Sequence, residues 1–262
     1  VAALKNATAL RREFTAAQRI PYRAHVAAGV IRTEFGDYLQ AFRLGGASFE
    51  TSDDAQLNNW HERLNVLWRN IAGPGVALWA HVIRRRASIE EAEFERRAVT
   101  RGDGGFAGEL QRRYRRRLRE ETLMLNELYL AVLYRPVAGK ATGLLSRAIA
   151  KTQTNAPRAE LVDALDACDK LAQTLRASLA RYEPETLGCY RHGSLWCSAL
   201  LEYLALLING ERCRVALPRG PLHQCLAGVR LFFGTEAIEF RSAGETRVAA
   251  ILGIKEYPTP TV

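Results

Sequence analysis

The residues with the clearest claim on chemistry are Gly139 and Lys140, in the stretch Tyr134–Gly143, YRPVAGKATG. A Gly-Lys pair followed by a hydroxyl is the end of a phosphate-binding loop, G-x-x-x-x-G-K-[ST]. In that loop backbone amides cradle the phosphates, the lysine reaches their oxygens and the hydroxyl holds magnesium. The spacing fails here at both ends. The first glycine falls on Tyr134, the hydroxyl position is Ala141, and Thr142 comes one residue late. Pro136 further restricts the turn. The stretch reads as a polar loop between a strand and a helix, and no other segment fits the pattern.

Other reactive side chains group without a working spacing. Cys189, His192, Cys197, Cys213, His223 and Cys225 fall in one third of the chain, and zinc favours such ligands. They lack paired ligand spacing and form no C-x-x-C, so core and loop roles explain them and no metal site is assigned. With Cys168 the cysteines number five, an odd count that suits a reducing compartment better than a disulfide framework. There is no G-x-S-x-G, since Ser48 in GGASFE lacks the flanking glycines, and no H-E-x-x-H. The paired acids Asp53-Asp54 and Glu90-Glu91 suit helix starts and solvated faces. No catalytic or cofactor-binding residue is assigned.

Arginine is the residue in excess. The chain has 262 residues, a formal net charge of +9 and a pI near 9.6. Arg84, Arg85 and Arg86 form one run; Arg112, Arg113, Arg115, Arg116, Arg117 and Arg119 crowd one helix, with Arg96-Arg97 between them. A guanidinium binds carboxylates and phosphates through two parallel hydrogen bonds, so this concentration reads as a contact surface. Acidic protein, anionic lipid headgroups and nucleic acid all suit it, and a solvated helix face needs none of them. Any membrane role is peripheral: the longest apolar run, Ala199–Ile208, contains Glu202 and is far short of the ~20 residues of a spanning helix.

Elements that would position these residues follow from periodicity and punctuation. Residues 2–17 read as a short helix and Ile20–Val26 as an extended lead-in. Val30–Thr33 and Tyr38–Leu44 flank a Gly-containing turn and predict a hairpin. Ser52 or Asp53 caps a helix with the stripe Leu57, Trp60, Leu64, Leu67, Trp68 and Ile71, stopped by Gly73-Pro74-Gly75. Val76–Arg86 is apolar on both faces and reads as a central strand. Trp60, Trp68 and Trp79 are assigned to the core. Residues 87–104 read as a mobile loop. Gly105–Glu121 is a helix in which Phe106, Leu110, Tyr114 and Leu118 recur every four residues, and Met124–Arg135 is a strand. Beyond Pro136 come a short helix at Leu144–Ala150, a long one over Pro157–Tyr182, a hairpin in Cys189–Cys197 turning at His192-Gly193, and a buried helix Ala199–Asn209 stopped by Gly210. Short strands occupy 212–252, notably Ala237–Arg241 and Arg247–Leu252. The class is α+β: a mixed or antiparallel sheet covered by helices, followed by a helical and small-hairpin lobe. Lobes of 19–136 and 137–256 and one continuous domain over 1–256 are both open, with 257–262 as a linker.

The segments IPYRAHV, LNNWHERLNVLWRNIA, VALWAHVIRRR, LNELYLAVLYRP, LARYEPETLGCY, LLEYLALLINGE, FFGTEAIEFR and AAILGIKEYPTPT occur in that order. Together they resemble the N-terminal domain of the type IV secretion ATPases, the VirB/TrbE/CagE class of conjugation and effector-export proteins, from about Ile20 to Thr261. The resemblance implies an ATPase parent whose ATP and magnesium sit in a C-terminal motor domain outside this chain, and no catalytic residue carries over. It implies a cytoplasmic domain, peripheral at the inner membrane, that docks on channel subunits and helps build a hexamer, moving DNA or effector protein. A basic nucleic-acid-binding module is the alternative, and DNA a weaker partner.

Overall fold

A computed structural model describes residues 13–14, 16–87, 105–136, 156–242 and 244–253. Residues 88–104 of the loop read at 87–104, the Gly139-Lys140 stretch, the helix read at 144–150 and the linker read at 257–262 lie outside the described residues. The class is α+β, and every strand pairing whose register is described is antiparallel. Contacts divide the chain into two compact units, each drawn from separated segments: Val1–Gln40 with Tyr134–Cys168 and Leu187–Val262, and Ala41–Leu133 with Asp169–Thr186. The lobes weighed from the sequence were instead consecutive.

In the first unit, β1 (Glu13–Phe14) and a 3-10 turn at Ala16–Arg19 stand where the end of a helix over 2–17 was expected, the residues of that helix up to 12 lying outside the described residues. Strand β2 (Tyr22–Ala27) pairs with β3 (Val30–Thr33), which turns at Glu34–Asp37 into β4 (Tyr38–Leu44). Gly36 takes φ +86 in that turn, a conformation glycine adopts without a Cβ clash. Asp37 is buried there and locked on both sides. Its backbone N–H donates to Thr33 Oγ1 at 3.1 Å, and Arg135 donates Nε and NH2 to its two carboxylate oxygens at 2.8 and 2.9 Å. This fork holds the Asp37 carboxyl below the usual carboxylate range. The first half of helix α3 (Ala156–Ser178) lays Ala164 and Cys168 against Val30 and Tyr38.

The rest of this unit follows the long helix. Hairpin β8 (Cys189–His192) and β9 (Leu195–Ser198) turns on Gly193 at φ +58. Helix α4 (Ala199–Asn209) is apolar nearly all round and buries Leu200, Leu201, Tyr203, Leu204 and Ala205, as a core helix must. Ser198 caps its start and Gly210 stops it in a left-handed conformation. Buried Asn209 satisfies both ends of its amide, donating to Leu226 O and accepting from Gly228 N. Helix α5 (Leu222–Leu226) and strand β10 (Arg230–Phe233) were not resolved by sequence reasoning. Strands β11 (Ile238–Arg241) and β12 (Thr246–Ala249) were, and the sheet runs β1-β10-β11-β12.

The second unit is a sheet under two helical segments. Helix α1 (Asp54–Ile71) starts where Asp53 accepts the Gln56 N–H at 2.7 Å, as its sequence predicts. Strand β6 (Met124–Tyr134) lies between β4 and β5 (Val76–Arg86), and β7 (Pro184–Thr186) pairs with β4. Phe42, Leu67, Ile71, Leu130, Val132, Ala172, Leu175 and Leu179 form the core, its large members contributing roughly 1.5–3 kcal/mol each. Two expectations are corrected. Strand β5 ends the strand order rather than sitting at its centre, because β6 takes the place beside β4. Trp79 points outward, 46% exposed, whereas Trp68 packs on the core and Trp60 is half-buried under the Arg181 guanidinium, 3.2 Å from its ring centre.

Candidate docking surface

The two arginine groups belong to the second unit, on β5 and on helix α2 (Phe106–Glu120). They are not equivalent. Along β5 the last side chains alternate, so Arg84 and Arg86 are exposed while Arg85 turns back to the sheet. Arg85 Nε donates to Glu127 Oε1 at 2.9 Å, and the hydroxyl of buried Tyr129 donates to the other carboxylate oxygen at 2.9 Å. The Glu127 side chain is wholly buried and that of Arg85 is 21% exposed. Arg85 is therefore a fixture of the sheet, and the expectation that it joins a contact surface is corrected. A carboxylate taken out of water needs that partner.

Helix α2 is the opposite case. It begins at Gly105 without a side-chain cap. Arg112, Arg113, Arg115, Arg116, Arg117 and Arg119 are all exposed. Glu109 accepts from Arg113 at 2.9 Å and from Arg112 at 3.0 Å, and those guanidiniums hold its carboxyl below the usual range. The stripe meant to anchor the helix is exposed as well: Phe106 by 86%, Leu110 by 58% and Tyr114 by 56%, with only Leu118 half-buried. Apolar residues at this spacing normally face a core, so their exposure sets α2 apart from α1 and α4.

Of the reactive side chains read from the sequence, Cys189, His192 and Cys197 share the β8–β9 hairpin. Cys197 is buried, Cys189 half-buried, and Cys213 and Cys225 exposed, and no disulfide joins any of the five cysteines. Among the described residues no three of His, Cys, Asp and Glu group to hold a metal ion. Tyr134, standing where a phosphate loop needs its first glycine, ends β6 and packs on the Val30–Cys168 core. Two features escaped sequence reasoning. His25 Nε2 lies 3.0 Å from Ser198 Oγ, and its Nδ1 faces Ala27 O at 3.2 Å. That resembles a nucleophile and base, but Ser198 is fully buried and already caps α4. The residues are 173 apart in sequence, so no local signal announces them. The second feature is an apolar cleft of about 460 Å³ in the first unit, lined by Ile20, Leu207, Ile208, Leu231, Phe233 and Phe240 among others.

Comparison with known proteins supplies the framework for this geometry. Residues 29–141 match the family "Type IV secretion system ATPase VirB4/TrbE, N-terminal domain". Residues 185–262 match "CagE, TrbE, VirB family, component of type IV transporter system". The chain belongs to the VirB4/TrbE family. It is 32% identical to a type IV secretion system protein virB4 of Bartonella quintana over 96% of its length and 31% of the relative's. A virB4 protein of Brucella suis is 33% identical over 98% of this chain and 31% of its own. The type IV secretion system protein PtlC of Bordetella pertussis is 32% identical over 96% and 30%. The chain thus spans about a third of the curated relatives it matches. Within this VirB4/TrbE N-terminal domain, both arginine groups fall inside the first family match, and among the described residues no helix is long and apolar enough to cross a membrane.

Proposed function

We propose that this VirB4/TrbE N-terminal domain is a non-catalytic assembly and docking platform. It fastens an ATP-driven motor to the inner-membrane channel complex that carries out DNA conjugation or effector export. The observation that carries the reading is α2, an arginine helix whose apolar stripe is turned to solvent within a domain of a secretion ATPase family. An exposed apolar stripe of that kind marks a contact with a partner. Arg84, Arg86 and the α2 arginines supply the contact. ATP and magnesium belong to another part of the parent protein, which self-associates, as a hexamer, at the cytoplasmic face of the membrane. The phosphate-loop pattern fails in this sequence, and Tyr134 is committed to a core.

The test is pairwise binding in detergent between the purified 262-residue chain and each inner-membrane subunit of its own secretion system. At least one subunit binds, and charge reversal at Arg84, Arg86, Arg116 and Arg117 weakens it about tenfold or more, as expected when several charged contacts are inverted. A folded chain that binds none of them defeats the docking reading. Saturable ATP hydrolysis that tracks the purified chain defeats the claim that it is non-catalytic.

A further inference from the structure

Resting on that docking reading, we infer that helix α2 itself lies in the plane of an anionic lipid surface, with Phe106, Leu110 and Tyr114 among the upper acyl chains and its arginines among the phosphates. Three observations converge. The helix has 15 residues, about 22 Å at 1.5 Å per residue, which is too short to span a bilayer and suited to lying on one. Its exposed apolar residues are spaced by four, so Phe106, Leu110 and Tyr114 fall within one arc of roughly 80° on a helix of 3.6 residues per turn. Five of the six arginines spread over the remaining circumference, from Arg113 at one border of the stripe round to Arg115 beyond Leu118 on the other side, and Arg117 falls within the stripe, against only Glu109 and Glu120.

That charge distribution selects the occupant. An acidic protein groove would match one flank of the helix, whereas these guanidiniums fan out through a wide arc. A sheet of lipid phosphates accepts them from either side of the stripe, with the long side chains reaching up to the headgroups. Tyr114 brings a hydroxyl to the level where apolar and aqueous regions meet. The surplus of positive charge makes anionic headgroups the matching surface, each arginine adding to the attraction.

The experiment is sedimentation of the intact chain with vesicles of phosphatidylglycerol and phosphatidylcholine, and with vesicles of phosphatidylcholine alone. The chain binds the first at least about tenfold more tightly than the second. Phe106→Ser with Leu110→Ser abolishes most of the binding, Arg116→Gln with Arg117→Gln weakens it about tenfold, and circular dichroism shows each variant folded. Tyr114→Trp, compared with the parent chain, adds emission that shifts to the blue on phosphatidylglycerol vesicles. Absence of vesicle binding by the folded chain overturns the inference. So does binding that ignores the apolar substitutions and leaves the emission added by Tyr114→Trp unshifted, because charge alone then accounts for it. Equal binding to both vesicle types overturns the anionic assignment. In each of these cases retention of a channel subunit in detergent leaves the docking reading standing and makes α2 a protein contact. Vesicle binding without any subunit binding does the reverse: it upholds the lipid contact and removes the docking reading.

Discussion

Arg85 and the arginines of α2 share a residue type and little else. Arg85 is gripped by a wholly buried carboxylate, itself held by the Tyr129 hydroxyl; the six on α2 stand exposed beside an apolar stripe that is exposed too. One guanidinium is built into the fold and the others stand at its surface. A run of like charges in a sequence therefore does not define a surface. What separates the two roles is whether the chain supplies an acidic partner at the right depth, and for Arg85 that partner is 42 residues away on the neighbouring strand.

The sharpest way to break this contrast is Arg85→Ala. It leaves Glu127 buried with Tyr129 as its remaining described hydroxyl donor, and costs about 3 kcal/mol of stability. A shift of the urea midpoint at unchanged slope checks it, and binding to membranes or subunits is unaffected. A change below ~0.5 kcal/mol would show that Arg85 belongs with the exposed group after all.

A second buried carboxylate sharpens the point. Asp37 is depressed chiefly by its hydrogen bonds with Arg135. A carboxyl whose folded pKa lies below its unfolded value contributes stability that is present above the unfolded value, about 4, and is lost as pH falls through the folded one. Urea midpoints measured from about pH 6 downward therefore fall below about pH 4. Asp37→Asn flattens that part of the profile. An identical acid limb in the variant assigns the loss to other carboxylates.

Smaller again is the cap of α1. Asp53→Ala removes the acceptor for the Gln56 N–H and costs about 1 kcal/mol in thermal or urea unfolding. Helix α2 has no such side-chain cap. Introducing one with Gly105→Asn should therefore help if the left-handed φ of +88 at Gly105 were dispensable; a loss of stability instead assigns Gly105 to its backbone conformation.

These differences also mark how far the sequence could be read. Signals confined to a few neighbouring residues located their elements to within a residue or two: Gly36 between β3 and β4, Asp53 before α1, Gly193 in its hairpin, Gly210 after α4. Strand β5 was found but misplaced, because apolar residues on both faces describe the strand's composition and not its neighbours. Its position depends on β6, and no residue of β5 records that choice. Trp79 followed the same error. The short elements β10 and α5 offer too few residues for a period to emerge. At the candidate site the arginines were legible as a concentration. The separation of Arg85 from the rest, and the exposure of Phe106, Leu110 and Tyr114, depend on what packs against them.

The least effect on stability is expected where the effect on binding is largest. Arg116→Gln with Arg117→Gln changes the urea midpoint by no more than ~0.5 kcal/mol equivalent, since both side chains are exposed and surface substitutions of this kind are near neutral. The same variant loses its grip on whatever α2 engages. Titration with a labelled oligonucleotide separates that partner from nucleic acid: phosphate binding by a duplex has a steep dependence on salt, and removing two phosphate contacts reduces the slope by about 2. Weak oligonucleotide binding with an unchanged slope, alongside lost membrane or subunit binding, places these arginines at a docking face and not on a DNA path. A slope that falls with the substitutions reverses the assignment and makes α2 a nucleic-acid contact, while Arg85, held inside the sheet, stays indifferent to either outcome.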